Sequence, residues 1–265
     1  FVENNEQISI IPVIGDIKII LSPEFAISLI WVSYAYTGWN SSVYIAGEIE
    51  KPKVNIPKSM IIATMFVTVL YLLLNYIFLY TTPVDLMIGK VEVGYIAGKQ
   101  IFGHLGGKLI SLGISILLLS TVSSYIYIGP RIMQAMGEDH KIIAFLSSKN
   151  DSGIPIKSFW IQLVISIIFI LTSTFEQVLL YAGISLIITT VFSVLALFVL
   201  RINEPNLNRP YKVVGFPIIP IIYLILNGWI LFYSFQRAFS ESLIGCVIFS
   251  IGVALYFIST KLGEK

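Results

Sequence analysis

Seven apolar segments, each long enough to cross a bilayer as a helix, constrain this chain more than anything else in it. The hydrocarbon layer is roughly 30 Å thick and an α-helix rises about 1.5 Å per residue, so a span needs about 20 apolar residues. Residues 25–47, 59–82, 109–128, 158–175, 177–200, 217–235 and 243–260 meet that requirement, and the 17 Lys and Arg and 15 Asp and Glu all fall between them. That partition is what a membrane demands, because a charge at the bilayer centre costs about 2.5 to 3.5 kcal/mol on insertion scales. With 56% hydrophobic residues and a mean hydropathy of +0.87, the composition lies outside that of a soluble domain. The expected fold class is an all-α membrane protein with seven transmembrane helices in a lipid bilayer.

The same partition excludes several classes of function. An intramembrane enzyme needs a nucleophile with its base, paired carboxylates or a metal site, and no span holds an acidic residue or a histidine. The basic residues are scattered rather than gathered on one face, so no nucleic-acid partner is expected. The lone Cys246 permits no internal disulfide framework, and His104 and His140 lie in different loops, so neither a metal site nor a cofactor is expected.

Charge placement also orients the chain. Alternate loops carry 12 basic residues on one side, among them Lys51, Lys58, Arg131, Arg201 and Arg209, against 5 on the other, Lys18, Lys90, Lys99, Lys108 and Arg237. By the positive-inside rule the N-terminal segment lies outside and the C-terminus in the cytoplasm, as for a plasma or cytoplasmic membrane. The chain starts at Phe1 without a signal-peptide pattern and reads as cut from something longer. The outer connection 83–108 carries apolar residues at helical spacing in Val93, Ile96, Ala97 and Ile101. Both a short helix over the outer mouth and an ordinary interfacial loop stay open.

The first span is the unusual one. Near its expected midplane it reads Tyr34-Ala35-Tyr36-Thr37-Gly38-Trp39-Asn40-Ser41-Ser42, glycine and small polar residues where lipid favours leucine. Irregular backbone is tolerated at depth only where it is buried or lines a cavity, and transporters build substrate sites from broken helices at the midplane. A second reading is that Gly38 merely lets a neighbouring helix approach. A seven-span chain with an outer N-terminus also fits a receptor or retinal protein, although the last span contains no lysine for a Schiff base.

Three motifs carry a family resemblance. Tyr36-x-Gly38-Trp39-Asn40, followed by Glu48-Ile49-x-x-Pro52-x-x-Asn55-Ile56-Pro57-Lys58-Ser59, resembles the sixth span and following loop of transporters of the amino acid-polyamine-organocation (APC) superfamily, particularly the L-type amino-acid transporter branch. Gly129-Pro130-Arg131-x-x-x-Ala135-Met136 with Asp139 resembles the inner end of that family's eighth span. Arg209-Pro210-Tyr211-Lys212-Val213 before Phe216-Pro217 and Pro220 resembles its loop between spans ten and eleven.

The resemblance implies a LeuT-like fold of two inverted five-helix repeats plus two further helices. Residues 1–24 would be an extracellular segment, 25–200 the second repeat with its outer loop 83–108, and 201–265 a cytoplasmic loop with the last two spans. The N-terminal repeat would be the missing partner, and the chain a fragment of an amino-acid transporter working by alternating access. A non-transporting truncated fragment is the alternative. The resemblance makes Tyr34 an aromatic gate and Tyr36, Thr37 and Gly38 the unwound stretch that meets the substrate's amino group. Trp39 and Asn40 would support that stretch, and Ser120, Thr121, Ser123 and Ser124 would be ion or substrate contacts. Thr37 stands where relatives often have a second glycine, and Glu138-Asp139-His140 replaces the family's Arg-Asp-Gly.

Overall fold

The computed structural model describes residues 11–39, 46, 49–209 and 211–261. These are helical with no strand among them: α1 (Asp16–Ile20), α2 (Pro23–Ala35), α3 (Pro52–Thr81), α4 (Val84–Met87), α5 (Val93–Asp139), a 3-10 helix (Lys141–Ser147), α6 (Ile156–Thr172), α7 (Phe175–Asn203), α8 (Ile218–Arg237) and α9 (Phe239–Lys261). Five of them, α3, α5, α7, α8 and α9, are long and apolar enough to cross a membrane. Two of the seven expected spans are shorter as helices. In the first, α2 ends at Ala35, and α6 has 17 residues.

The motif Pro52-x-x-Asn55-Ile56-Pro57 is not a loop, as its prolines suggest, but the opening turns of α3. Proline is compatible with a helix start, where backbone N–H groups lack intrahelical partners. The Asn55 amide donates to the Glu50 carbonyl just ahead of the helix.

The chain forms two compact units. In the first, Ile61–Ile132, the connection after α3 is largely helical. Residues 93–102 form one arm of a hairpin that turns at Gly103, whose φ of 72° and ψ of −172° are non-helical. A Cβ on Gly94 would lie 2.7 Å from Ile114 Cδ1, and one on Gly98 would lie 2.5 Å from Ile110 Cδ1 and 3.4 Å from the Gly107 Cα. Partner numbers that fall as the others rise mark antiparallel arms, and the small residues let the backbones approach. Ala97, on the same arm, is buried.

In the second unit, Ile14–Met60 with Met133–Lys265, a core of Ile30, Ile184, Ile187, Ile188 and Ile230 joins α2, α7 and α8. Helix α9 packs along α7, where a Cβ on Gly245 would meet Ile184 Cγ2 at 3.0 Å and where Ser185 Oγ donates to the Gly245 carbonyl at 3.1 Å. Gly183 faces Ile30, and its Cβ would lie 2.5 Å from Ile30 Cγ2. Small residues at these contacts are what helix packing in lipid requires, because lipid is as apolar as leucine and close contact must supply the attraction.

The helix ends are fixed by specific side chains. Thr174 and Gln177 form a reciprocal capping box at the start of α7, with Gln177 N donating to Thr174 Oγ1 at 3.3 Å and Thr174 N to Gln177 Oε1 at 3.0 Å. At its other end the Arg209 guanidinium donates to four carbonyls, of Leu200, Glu204, Pro205 and Leu207, at 2.7 to 3.2 Å. A cation that collects carbonyls at a helix C-terminus opposes the negative end of the helix dipole as well as satisfying its open acceptors. That is the physical role of the arginine in the Arg209-Pro210-Tyr211 motif.

His140 is half-buried, with Nδ1 2.8 Å from Ser259 Oγ on α9 and its ring edge-on to Tyr256. Beside it, Gln134 donates to Glu138 at 2.8 Å and Lys149 lies 3.4 Å away, and these hold the Glu138 carboxyl below the usual carboxylate range. The acid that departs from the family's arginine thus has local partners of its own.

Candidate functional site

Helix α2 begins in a conventional way. Ser22 accepts from Phe25 N at 3.2 Å, Pro23 occupies the first turn, and Ala26 and Ile30 turn one face inward. It then stops early. Tyr36 N and Thr37 N donate to the carbonyls three residues back, of Ser33 and Tyr34, and Gly38 follows at φ 97°. That backbone angle is accessible to glycine and costly for any residue with a Cβ. Thr37 Oγ1 also donates to the Tyr34 carbonyl at 2.7 Å. The threonine hydroxyl thus adds a second hydrogen bond to a carbonyl that already accepts from Thr37 N.

Beside this helix end lies a cavity of about 540 Å³, within the range of small-molecule sites. Tyr34, Tyr36, Thr37, Gly38 and Trp39 all border it. Asn40, the last residue of the expected site, lies outside the described residues. The cavity lies wholly within the second unit, and its other walls come from α7 and α8. Leu29, Ile187 and Ile230 supply apolar surface, while Thr189, Thr190 and Ser193 on α7 and Tyr223 and Asn227 on α8 supply polar groups. No charged side chain is among the described residues that line it, so polar recognition there rests on hydrogen bonds and helix-end dipoles.

The α7 and α8 walls are tied together. Tyr223 O–H donates to Thr190 Oγ1 at 2.8 Å, and the Thr190 hydroxyl faces the carbonyls of Leu186 and Ile187 at 2.9 and 3.0 Å. A hydrogen bond between helices fixes their rotation about their own axes, and this one holds Tyr223 and Asn227, four residues apart on one face, toward the cavity. Sequence reading passed over both. The available signal was a carboxamide inside an apolar span, a residue type costly in lipid unless it faces a partner or a cavity.

Ser120, Thr121, Ser123 and Ser124 sit on α5 in the first unit, whereas the cavity belongs to the second. Thr121 Oγ1 donates to the Leu117 carbonyl at 3.1 Å, Ser123 Oγ to Leu119 at 2.9 Å, and Ser124 Oγ to Ser120 at 3.1 Å. The hydroxyl protons of Thr121, Ser123 and Ser124 are thus committed to their own helix, while the oxygen lone pairs remain.

Comparison with known proteins places this chain. The family model described as amino acid permease matches residues 5–259. The serine/threonine exchanger SteT of Bacillus subtilis (strain 168) is 25% identical over 212 residues, covering 78% of this chain and 48% of that protein. The aspartate-proton symporter of the same organism is 29% identical over 219 residues, 79% of this chain and 42% of that one. The large neutral amino acids transporter small subunit 2 of Mus musculus is 24% identical over 243 residues, 91% and 45% respectively. The chain spans somewhat less than half the length of these relatives. Their names describe transporters rather than enzymes, in agreement with the APC resemblance of the three motifs. The chain belongs to the amino acid permease family, and is an integral membrane protein.

Proposed function

We propose that this chain is the C-terminal part of a secondary transporter of amino acids or related amines that works by alternating access. The observation that carries the proposal is the end of α2 at Ala35, followed by Gly38 at φ 97°, on the wall of a cavity of about 540 Å³ in a chain of this family. A helix that ends at membrane depth exposes backbone dipoles without the cost of a buried ion, and these are suited to the ammonium and carboxylate of an amino acid.

In this reading residues 34–40 are this half's contribution to the substrate site, with Tyr34 as the gate. The seven apolar segments all span the membrane, with the N-terminal segment outside and the C-terminus in the cytoplasm. An N-terminal five-helix repeat supplies the remainder of the site. Ser120, Thr121, Ser123 and Ser124 are proposed as ion or substrate contacts through their oxygen lone pairs. The relatives' names differ in both substrate and coupling, so they support transport of amino acids as a class.

The test starts with the intact mass of the protein purified from its source membrane. A mass far above 29.6 kDa, with about five additional spans upstream, is expected. The full-length protein, reconstituted in vesicles, should then show counterflow of at least one amino acid, and Gly38→Leu should abolish it while the protein still inserts. Uptake by Gly38→Leu equal to wild type would refute the site. A native mass near 29.6 kDa, with no transport, would favour a truncated fragment instead.

A further inference from the structure

The carboxamide of Asn227 is 5% exposed and borders the cavity that also contains Tyr36, Thr37 and Gly38. Its Nδ2 donates to the Tyr223 carbonyl at 2.9 Å. A carbonyl can only accept, so the nitrogen must face it, and this fixes the orientation of the amide. One N–H and the whole of Oδ1 then remain, and no described residue bonds to either. In an apolar surrounding, such open groups cost free energy unless water or a ligand meets them.

The neighbours restrict what that ligand is. Tyr223 O–H is already given to Thr190, and the Thr190 hydroxyl faces carbonyls of its own helix. Ile187 and Ile230, at 4% and 1% exposure, line the same cavity with apolar surface. The carboxamide on α8 therefore keeps both a donor and an acceptor uncommitted among the described residues. Its complement is a neutral group that both donates and accepts, a hydroxyl or a primary amide. An ammonium could use only the oxygen, and a carboxylate only the N–H.

Building on the transport reading above, we propose that Asn227 reads the substrate's side chain and that the preferred substrates are amino acids with a hydroxyl or primary-amide side chain. The amino-acid backbone sits at the broken end of α2, and the side chain points along the cavity toward α8. Asn227 lies on a helix outside the second five-helix repeat, so selectivity would be set by a part of the chain that does not form the helix break.

The experiment compares threonine with valine, which replaces the hydroxyl by a methyl group at nearly constant shape, as competitors for uptake by the full-length protein in vesicles. The expected result is that wild type takes threonine at least about tenfold better, the worth of one net hydrogen bond to a desolvated group. In Asn227→Leu that ratio should collapse toward one, chiefly through loss of threonine uptake, with valine uptake retained. Wild type that took valine as well as threonine would overturn the inference without any variant having to fold. So would a folded Asn227→Leu that lost both substrates in the same proportion, because that outcome marks a packing role. Wild type that moved no amino acid at all would overturn the transport reading first, and this inference with it.

Discussion

Two glycines with positive φ, Gly103 inside α5 and Gly38 just after the end of α2, have different surroundings. At Gly103 the chain folds back, and the arms close on each other through Gly94 and Gly98 against Ile114, Ile110 and Gly107, and through Gly107 against Tyr95 and Lys99. At Gly38, as at Gly103 itself, no heavy atom of the described residues lies within 4 Å of where a Cβ would stand, but the end of α2 borders a cavity of about 540 Å³. A break in a helix is therefore not by itself a site. Beside Gly38 the described residues leave a cavity lined by hydroxyls, an amide and apolar walls, which is what the proposed site requires.

The contrast can be broken most directly at the two glycines. Gly38→Ala imposes a Cβ on a backbone angle that costs about 1 to 2 kcal/mol for an L-residue, and it should lower uptake at least about tenfold while lowering the thermal midpoint by only a few degrees. Gly98→Leu should do the reverse. A bulky side chain would meet Ile110 and the backbone of Gly107, so detergent-solubilised protein should lose several degrees of thermal stability, and the fraction that folds should transport normally. If both variants acted on stability alone, the break at Gly38 would be no more than a second packing turn.

A smaller effect is expected at the end of α7. Arg209→Ala removes four hydrogen bonds to carbonyls of the helix end and its loop and should cost about 1 to 2 kcal/mol. Faster amide exchange should appear at 200–209, with none at the cavity. The smallest effect belongs to the ion pair of Glu24 with Arg237, 2.8 Å apart and well exposed. Glu24→Gln should change stability by no more than about 0.5 kcal/mol, and less at high salt. A larger change would mean that this pair, rather than the isoleucine core, fixes the start of α2.

The interruption of the first span was legible because a glycine amid small polar residues contradicts its apolar surroundings. So were the segments that became α3, α7, α8 and α9, since continuous apolar length is a local property. The ends of elements were less legible. Pro52 and Pro57 suggest a loop, yet both belong to α3: Pro52 opens it, where proline is tolerated, and Pro57 lies inside it. The helical arm before Gly103 was half visible, in apolar spacing that admitted two readings. Its fold-back depends on glycines nine to twenty residues from their partners.

Sequence alone determined that this chain lives in a membrane, that it is helical, and that its first apolar segment is weakened at Gly38. Those properties follow from the cost of charge and of open backbone in lipid, which each segment meets on its own. Only the tertiary structure decided that Thr190, Tyr223 and Asn227 share a cavity with that weak point. Residues 33 to 189 positions apart along the chain meet there, and no local rule relates them. What brings them together is the packing of Ile30, Ile184, Ile187 and Ile230, which sets how α2, α7 and α8 face one another.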